Sequence, residues 1–255
     1  MMVEKVNVLG VGINDLNLDK TIQIITRWIQ EKGQSHYVCV TGVHGVMESQ
    51  QNESLRQIHN QASLVTPDGM PMVWLGRFRG HRDMSRVYGP DLMLALCNSS
   101  LKNGIRHYFY GGAEGVPELL ASQLEKKFPG LRVVGTYSPP FRPLTIAEDE
   151  RIVQQINHAK PDIVWVGLST PKQEKWMAEH IEQLQVPVLI GVGAAFDFHA
   201  GLKKQAPKWM QRSGLEWLYR LLSEPRRLGR RYLVNNPLFI LLALAQIFNL
   251  RKYDL

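Results

Sequence analysis

Cysteine is scarce in this chain of 255 residues, which contains only Cys39 and Cys97. Their separation matches no metal-binding or redox motif, and two cysteines are too few for the disulfide framework of a secreted protein. The first twelve residues also lack the uninterrupted apolar segment of a signal peptide. We therefore predict two buried, reduced thiols in a protein that works in the cytosol.

Long apolar runs and a complete glycine fingerprint are also missing. The mostly apolar stretch Pro237–Leu250 has fourteen residues, whereas a helix needs about 20 to cross a bilayer. Gly10-Val11-Gly12 follows the first predicted strand without a third glycine at dinucleotide-binding spacing, so we interpret this glycine pair as a turn. Hydrophobic residues make up 44% of the chain, which predicts a globular protein rather than a disordered one.

The positive charge of the chain is concentrated at its C-terminal end. Residues 201–255 contain eleven lysines and arginines but three acidic residues, whereas the rest of the chain is close to neutral and the net charge is +7. A near-neutral body with a basic tail indicates a catalytic domain joined to a segment that docks on an anionic surface. We predict a catalytic domain at residues 1–200 and a basic, amphipathic, helical appendage at residues 201–255.

Short segments rich in β-branched residues alternate with segments whose apolar residues recur at helical spacing. The predicted strands are Val6–Val11, Tyr37–Thr41, Leu64–Val65, His107–Tyr110, Val133–Thr136, Ile163–Gly167 and Val188–Val192. The predicted helices are Leu18–Gln30, Asp91–Lys102, Val116–Lys127, Thr145–His158 and Lys172–Gln183. This alternation predicts an α/β, Rossmann-like fold with a mostly parallel sheet flanked by helices. Ligands bind at the carboxyl ends of the strands in such sheets.

Asp68 lies in a loop bounded by proline and glycine, directly after a predicted strand. A carboxylate in this position is either a turn residue bonded to its own backbone or a general base held at the sheet edge. Guanidinium groups that follow this loop are suited to clamp phosphate oxygens, although some are expected to be solvated surface charges. These arginines are Arg77, Arg79, Arg82 and Arg86.

Two later strand ends carry glycines that suit a ligand. Gly111, Gly112 and Gly115 open a helix, where exposed backbone N–H groups bind phosphate well, although a plain tight turn is the equal alternative. Gly193 lies among small residues at the end of the last predicted strand, and this lets a ligand approach the backbone closely.

The strand end at Gly167 is followed by hydroxyl and polar residues at a helix start. Ser169 or Thr170 is positioned to cap that helix. Lys172 and Gln173 stand in its first turn, which the helix dipole disfavours unless an anionic or polar group lies in front of them. We therefore treat both as candidates for substrate binding.

Four segments in this order resemble one known family. They are Asp68-Gly69, Arg86–Leu92, Pro171–Trp176 and Gly214–Arg227. With them the chain resembles the bacterial WecG/TagA/CpsF glycosyltransferases, also called glycosyltransferase family 26, from about Thr41 to Tyr232. The resemblance implies an inverting transferase that moves a sugar from a UDP-sugar to a polyprenyl-diphosphate-linked saccharide. The reaction is expected at the inner face of the cell membrane, in the synthesis of a cell-surface polysaccharide.

The resemblance also implies roles for individual residues. It makes Asp68 the general base, places Thr41 in the same pocket, and adds Arg86 and Gln173 as pocket residues. The chain departs from the family at Val43, where asparagine is frequent. It departs again at Gln205-Ala206-Pro207, where many members have arginine first.

His44 is the rival to Asp68 as the base, because an imidazole has a suitable pKa. A structural role is the alternative for this histidine. Comparing the turnover of Asp68→Asn and His44→Ala variants distinguishes the two bases.

A metal cofactor is not expected. Many nucleotide-sugar enzymes hold a metal with an Asp-x-Asp motif, which this sequence lacks. The acidic run Glu148–Glu150 follows Thr145 at the spacing of a capping box, so we predict that it starts a helix. We therefore predict no cofactor and a metal-independent transfer in which Arg86, other basic residues and the glycine-rich backbone at 111–115 meet the diphosphate.

The C-terminal segment combines basic residues, aromatic residues and an apolar helix. Such a helix is suited to lie in the headgroup layer of an anionic membrane, so we predict peripheral attachment. A helix packed on the body or on another subunit of a homo-oligomer is the alternative. The resemblance implies that this appendage closes over the active site and holds the lipid diphosphate with arginines. The candidate arginines are Arg220, Arg226, Arg227, Arg230 and Arg231.

Two other classes share some of these features. A nucleic-acid-binding protein has a comparable basic tail, but the body contains no nucleic-acid-binding motif. A nucleotide-binding oxidoreductase has the same alternation of elements, but the glycine fingerprint is incomplete. The sequence therefore favours a glycosyltransferase with a UDP-sugar, a lipid-linked acceptor and an anionic membrane as its partners, and no nucleic acid.

Overall fold

The structure is a computed structural model that describes residues 3–31 and 33–255. Its strands are β1 (Lys5–Val8), β2 (Val11–Asn14), β3 (His36–Thr41), β4 (Leu64–Pro67), β5 (Arg106–Gly111), β6 (Arg132–Tyr137), β7 (Ile163–Gly167) and β8 (Val188–Gly191). Its helices are α1 (Leu18–Glu31), α2 (Val43–Gln51), α3 (Glu53–Gln61), α4 (Met70–Phe78), α5 (Gly89–Asn103), α6 (Val116–Lys127), α7 (Ile146–Ala159), α8 (Lys172–His180), α9 (Ala195–His199), α10 (Lys208–Arg212), α11 (Glu216–Ser223) and α12 (Pro225–Ile247).

Six strands form one sheet in the order β4-β3-β8-β7-β5-β6. The pairs β3–β8, β8–β7, β7–β5 and β5–β6 are parallel. Strands β4 and β8 are buried along their whole length, as expected for a sheet covered on both faces. The predicted α/β, Rossmann-like fold with a helical C-terminal segment is therefore confirmed.

The prediction of the first strand is wrong. Instead of one strand over Val6–Val11, β1 and β2 form a separate antiparallel hairpin in which Val8 pairs with Val11. Leu9 and Gly10 make the two-residue turn with φ angles of 52° and 82°. Positive φ at both central residues is the geometry of the tight hairpin turns that match strand twist. Gly10 thus lies in a turn, as predicted, whereas Gly12 belongs to β2.

The helix predictions agree with the structure within a few residues at each end. The capping box is confirmed: the Thr145 side chain accepts from the backbone N–H of Glu148, whose own side chain accepts from the backbone N–H of Thr145. The proposed hydroxyl cap before α8 is wrong, because Pro171 is the N-cap residue and no side chain caps the helix. Cys39 and Cys97 are buried and free, as predicted.

The chain divides into two compact units. Unit 1 contains the chain up to Leu18, residues 40–88 and residues 205–255. Unit 2 contains residues 19–39 and 89–204. The division after residue 204 lies close to the predicted domain boundary at 200, but the basic C-terminal segment shares its unit with two earlier parts of the chain.

Candidate active site

Asp68 lies at the carboxyl end of β4, within unit 1. Its backbone N–H donates to the carbonyl oxygen of Thr41, the last residue of β3, at 3.1 Å. A Cβ atom built on Gly42 would lie 3.8 Å from Asp68 Oδ2, so the carboxylate stands beside this glycine. One third of the Asp68 side chain is exposed. The backbone of Asp68 is therefore held against the end of β3, and part of its side chain remains accessible to a ligand.

Arg86 connects Asp68 to the C-terminal segment of the same unit. Its Nε donates to the backbone carbonyl oxygen of Asp68. Its Nη2 lies 3.9 Å from Asp68 Oδ1 and donates to Glu216 Oε2 at 2.5 Å. The guanidinium carbon also lies 3.9 Å from the centre of the Tyr88 ring. One arginine thus joins two carboxylates and stacks on an aromatic face, which fixes its orientation.

The charges of this cluster act on one another. Burial lowers the pKa of Arg86, but Asp68 and Glu216 outweigh that effect, so its pKa is raised above the usual value. Burial and the two carboxylates raise the pKa of Tyr88, which keeps its hydroxyl protonated. Burial also opposes the charge of Arg220, yet its pKa is raised because Tyr232, Glu216, Tyr88 and Asp68 together stabilise the cation.

Four buried hydroxyl groups in unit 1 have no hydrogen-bond partner among the described residues: those of Thr41, Thr66, Tyr88 and Tyr253. Two of them, Thr41 Oγ1 and the Tyr88 hydroxyl, belong to residues next to Asp68 or Arg86. Both residues are nearly inaccessible to solvent. Buried polar groups normally find a partner. Thr41 and Tyr88 therefore each carry a hydrogen-bonding group that the described residues leave unsatisfied.

His44 stands in the first turn of α2. Its Nδ1 lies 3.6 Å from Glu48 Oε1, one helical turn further along. Its side chain is 16% exposed, and that of Glu48 is 34% exposed. Gly42, against which the Asp68 carboxylate lies, precedes this helix. His44 therefore remains a candidate base in the same unit as Asp68.

The glycine-rich turn after β5 lies in unit 2. Gly111 has a φ of +123°, and a Cβ atom there would lie 2.7 Å from the backbone of Gly167. Gly112 donates its N–H to the carbonyl oxygen of Gly167 at 3.0 Å and accepts from Ser138 Oγ at 2.9 Å. Gly115 is left-handed and is the N-cap residue of α6. Gly111 and Gly112 thus join strand ends, and the N–H of Gly112 already has a partner.

Gln173 and Gly193 adjoin each other in unit 2. Gln173 is buried, and its Nε2 donates to Glu174 Oε1 at 3.1 Å. A Cβ atom on Gly193 would lie 3.4 Å from Gln173 Oε1, which has no hydrogen-bond partner among the described residues. Lys172, the first residue of α8, is exposed. The absence of a side chain at 193 leaves the Gln173 amide oxygen able to accept from a ligand.

The five candidate arginines for lipid binding differ in exposure. Arg226, Arg227 and Arg230 are exposed on α12, and Arg227 Nε donates to Glu224 Oε1 at 3.0 Å. Arg220 and Arg231 are less exposed. Burial, and to a smaller extent the charges of Arg220 and Arg227, lower the pKa of Arg231 to about 10. The last two arginines therefore lie closer to the interior of unit 1 than the sequence indicates.

One side of α12 presents apolar side chains to solvent. We call these residues the apolar stripe: Leu233, Val234, Leu238, Ile240, Leu241 and Leu244. The other side of the helix is buried through Leu228, Tyr232, Phe239 and Ala243. In the described part of the chain, no helix combines the length and apolar character that crossing a membrane requires.

Three side chains of unit 1 are grouped closely enough to share a metal ion. They are Glu4, Asp15 and His81. His81 Nδ1 lies 3.0 Å from Asp15 Oδ2 and 3.8 Å from Glu4 Oε2. The grouping does not include Asp68, so it has no part in the arrangement around the candidate base.

The sequence of this chain matches one known protein family. Residues 6–253 match the family described as the glycosyl transferase WecG/TagA/CpsF family. The chain belongs to this family. The predicted family is thereby confirmed, and the chain is a glycosyltransferase.

Several bacterial WecG/TagA/CpsF relatives have the same description, N-acetylglucosaminyldiphosphoundecaprenol N-acetyl-beta-D-mannosaminyltransferase. The protein of Bacillus subtilis (strain 168) is 30% identical over 194 residues, which cover 76% of this chain and 73% of the relative. That of Staphylococcus aureus (strain MW2) is 27% identical over 237 residues, which cover 92% and 91%. That of Bacillus spizizenii (strain ATCC 23059 / NRRL B-14472 / W23) is 31% identical over 183 residues, which cover 72% and 69%.

The structure brings some of the predicted WecG/TagA/CpsF site residues together and adds two others. Asp68, Thr41 and Arg86 are grouped in unit 1, whereas Gln173 and Gly193 adjoin in unit 2. Reasoning from sequence missed Glu216 and Tyr88. Both lie inside segments that carry the family resemblance, at 214–227 and 86–92, and this was the available signal.

Proposed function

We propose that this chain transfers a hexose from a UDP-sugar to a polyprenyl-diphosphate-linked saccharide, with inversion at the anomeric carbon. N-acetylmannosamine is the first sugar to test, because the relatives are described as transferring it to an N-acetylglucosaminyl lipid diphosphate. Their descriptions specify a β-linked product. An inverting enzyme makes a β-linkage from an α-linked nucleotide sugar, and this supports the stereochemical part of the proposal.

The mechanistic part of the proposal depends on the position of Asp68. As the acceptor hydroxyl attacks the anomeric carbon, the carboxylate takes its proton. The new glycosidic bond forms as the bond to the UDP oxygen breaks, and UDP leaves with the bonding electrons. Thr41 and Tyr88 supply buried hydroxyls for the sugar, and Arg86 offers a fixed cation to a phosphate oxygen. No metal is required in this scheme.

The predicted substrate-binding residues of unit 2 stay candidates on the geometry of that unit alone. Gln173 offers its amide oxygen beside Gly193, where a ligand approaches the backbone without a side chain in the way. Lys172 is exposed at the start of α8 and is available to an anionic group. The turn at Gly111, Gly112 and Gly115 is proposed to contribute through backbone N–H groups that precede α6, other than that of Gly112, which donates to Gly167.

The membrane part of the proposal depends on α12. Its apolar stripe follows the exposed arginines Arg226, Arg227 and Arg230 along the same helix. Apolar side chains that insert among lipid headgroups, together with cations that face anionic lipids, hold a helix in the interfacial plane. We propose that this helix docks the enzyme on the inner face of the cell membrane, where a lipid-linked acceptor lies.

The experiment is a UDP-release assay with a panel of UDP-sugars, with and without a polyprenyl-diphosphate-linked saccharide acceptor. We expect acceptor-dependent release with one donor for the wild type. Asp68→Asn removes the base and is expected to lower turnover by at least about a hundredfold. His44→Ala is the comparison: loss of turnover in this variant alone would transfer the role of base to His44.

The same assay tests the cofactor prediction. Turnover is expected to be unchanged in excess chelator, because the proposed scheme meets the charge of the leaving diphosphate with Arg86 and uses no metal. Loss of turnover that Mg²⁺ or Mn²⁺ restores would contradict metal independence while leaving the transferase assignment intact. An unchanged rate of UDP release from every donor when the acceptor is omitted would contradict the transfer itself.

A further inference from the structure

Glu216 accepts a hydrogen bond from Arg86, whose guanidinium group also faces the candidate base Asp68. It is the first residue of α11, and 13% of its side chain is exposed. Nη2 of Arg86 donates to Glu216 Oε2 at 2.5 Å but lies 3.9 Å from Asp68 Oδ1. The same nitrogen therefore faces two carboxylates and is closer to the one that the transfer reaction does not use.

This arrangement affects how strongly Asp68 binds a proton. A cation within about 4–6 Å lowers the pKa of a carboxyl group, and an anion at that range raises it, by one to three units. Arg86 alone would make Asp68 a weaker base. A carboxylate at Glu216 opposes that effect in two ways: it forms a hydrogen bond with Nη2, and its own negative charge favours protonation of Asp68.

The other groups that face the cluster come from three elements. Tyr88 lies under the guanidinium group and, with its hydroxyl protonated, carries no charge. Arg220 on α11 adds a second cation that interacts with both carboxylates, and Tyr232 on α12 interacts with Arg220. With Glu216 in place the cluster has two cations and two anions. Without the Glu216 carboxylate the cluster, Asp68 included, would carry one net positive charge.

We propose that Glu216 is a positioning residue for the transfer reaction, which holds Arg86 and keeps Asp68 basic enough to accept the proton of the acceptor hydroxyl. The inference rests on the proposed function, in which Asp68 is the base. It gives the C-terminal segment a role in catalysis besides docking, because the carboxylate that adjusts the base belongs to α11.

The test is the pH dependence of kcat/KM for acceptor-dependent UDP release, which reports the ionisation of groups in the free enzyme. Glu216→Gln and Glu216→Ala both remove the charge but differ in packing. In both variants we expect the acid limb of the kcat/KM profile to shift by about one unit to lower pH. The reason is that Arg86 then lowers the pKa of Asp68 without an opposing carboxylate. The rate on the plateau is expected to fall in both.

Two control variants separate charge from structure. Glu216→Asp keeps the charge, so its acid limb is expected at the wild-type position even if its plateau is lower. Glu53→Gln removes a surface carboxylate that lies 2.5 Å from Arg56 Nη2, and it is expected to leave both the limb and the plateau unchanged. Circular dichroism at each pH confirms that the compared variants are folded.

The outcomes distinguish this inference from the proposed function. If Asp68→Asn abolishes turnover but the charge-removing variants leave the acid limb in place, Glu216 has a structural role only and the inference is overturned. If Asp68→Asn retains turnover, the base itself is wrongly assigned. A shared shift in Glu216→Gln and Glu216→Ala, absent from Glu216→Asp, supports the role of the charge.

Discussion

His107 shows how a single buried side chain makes stability depend on pH. The indole N–H of Trp165 donates to His107 Nδ1 at 3.0 Å, so this ring nitrogen is an acceptor. The other nitrogen, Nε2, then carries the proton and donates to Ser100 Oγ at 2.8 Å, and Ser100 donates to the carbonyl oxygen of Leu96 at 2.6 Å. The network requires a neutral imidazole, and burial lowers the pKa of His107 to about 4.

We expect the free energy of unfolding to fall as the pH drops from about 6.5 towards 4. The unfolded chain binds a proton at His107 near the ordinary pKa of 6.5, whereas the folded chain does so near 4. The contribution of His107 to the free energy of unfolding is therefore fully present above pH 6.5. It decreases below that pH, by at most roughly 3 kcal/mol. Urea unfolding at several pH values measures the slope.

Two variants test whether His107 causes this slope. His107→Gln removes the titrating group and is expected to make stability less dependent on pH between 6.5 and 4. His158→Gln, at an exposed position on α7, is expected to leave the slope unchanged. Part of the slope will persist in His107→Gln, because burial also lowers the pKa of His59 to about 4. An identical slope in the wild type and His107→Gln would contradict the prediction.

At the scale of an element, α12 is held on one side only. Gln246 accepts from the backbone N–H of Leu9 at 3.2 Å and donates to the carbonyl oxygen of Asn7 at 3.2 Å, which attaches the end of the helix to the β1–β2 hairpin. Phe239 and Ala243 are buried on the same side of the helix. The apolar stripe is exposed, and exposed apolar surface of this kind indicates a contact with a membrane or a protein.

We expect the apolar stripe to insert into anionic vesicles. Leu233→Glu combined with Leu241→Glu places two charges in the stripe and is expected to weaken vesicle binding by about tenfold or more. Co-sedimentation with vesicles of anionic lipid measures this. Ile146→Glu, an exposed apolar position on α7 in unit 2, is the control and is expected to bind like the wild type. Equal recovery of the double variant and the control would contradict membrane docking through α12.

At the scale of the whole molecule, unit 1 is assembled from distant parts of the chain. Besides the hydrogen bonds of Gln246, Asn7 Nδ2 donates to the carbonyl oxygen of Tyr253 at 2.6 Å. A Cβ atom on Gly214 would lie 2.6 Å from the ring of Trp74, so α4 packs against the loop between α10 and α11. The C-terminal segment therefore packs against earlier parts of the chain within this unit.

A chain that ends at Lys204 is consequently expected to fold poorly. It would lack Leu228, Tyr232 and Phe239, which are buried in unit 1, and it would expose the surfaces that they cover. We expect a lower midpoint of thermal unfolding and increased binding of a dye that recognises exposed apolar surface. A truncated chain with the wild-type midpoint and no dye binding would instead support the predicted division into residues 1–200 and 201–255.

The sequence by itself determined the class of fold and the family. Short runs rich in β-branched residues and helical spacing of apolar residues are local patterns, so the parallel strands β5, β7 and β8 and the helices α1, α6 and α7 were predictable from short segments. The capping box at Thr145 was predictable for the same reason. Asp68 was recognisable because a proline and a glycine bound its loop, and because its segment resembles a known family.

Only the tertiary structure decided which distant residues meet. The hairpin of β1 and β2 was read as one strand, because both halves are apolar and Leu9 adopts a positive φ that its residue type does not favour. Glu216 is 130 positions from Arg86, and no local pattern connects them. The division of the arginines of the C-terminal segment into exposed and less exposed ones also depends on packing. Contacts between residues far apart in sequence leave no period in the chain, and so the grouping of Asp68, Arg86 and Glu216 follows from the fold alone.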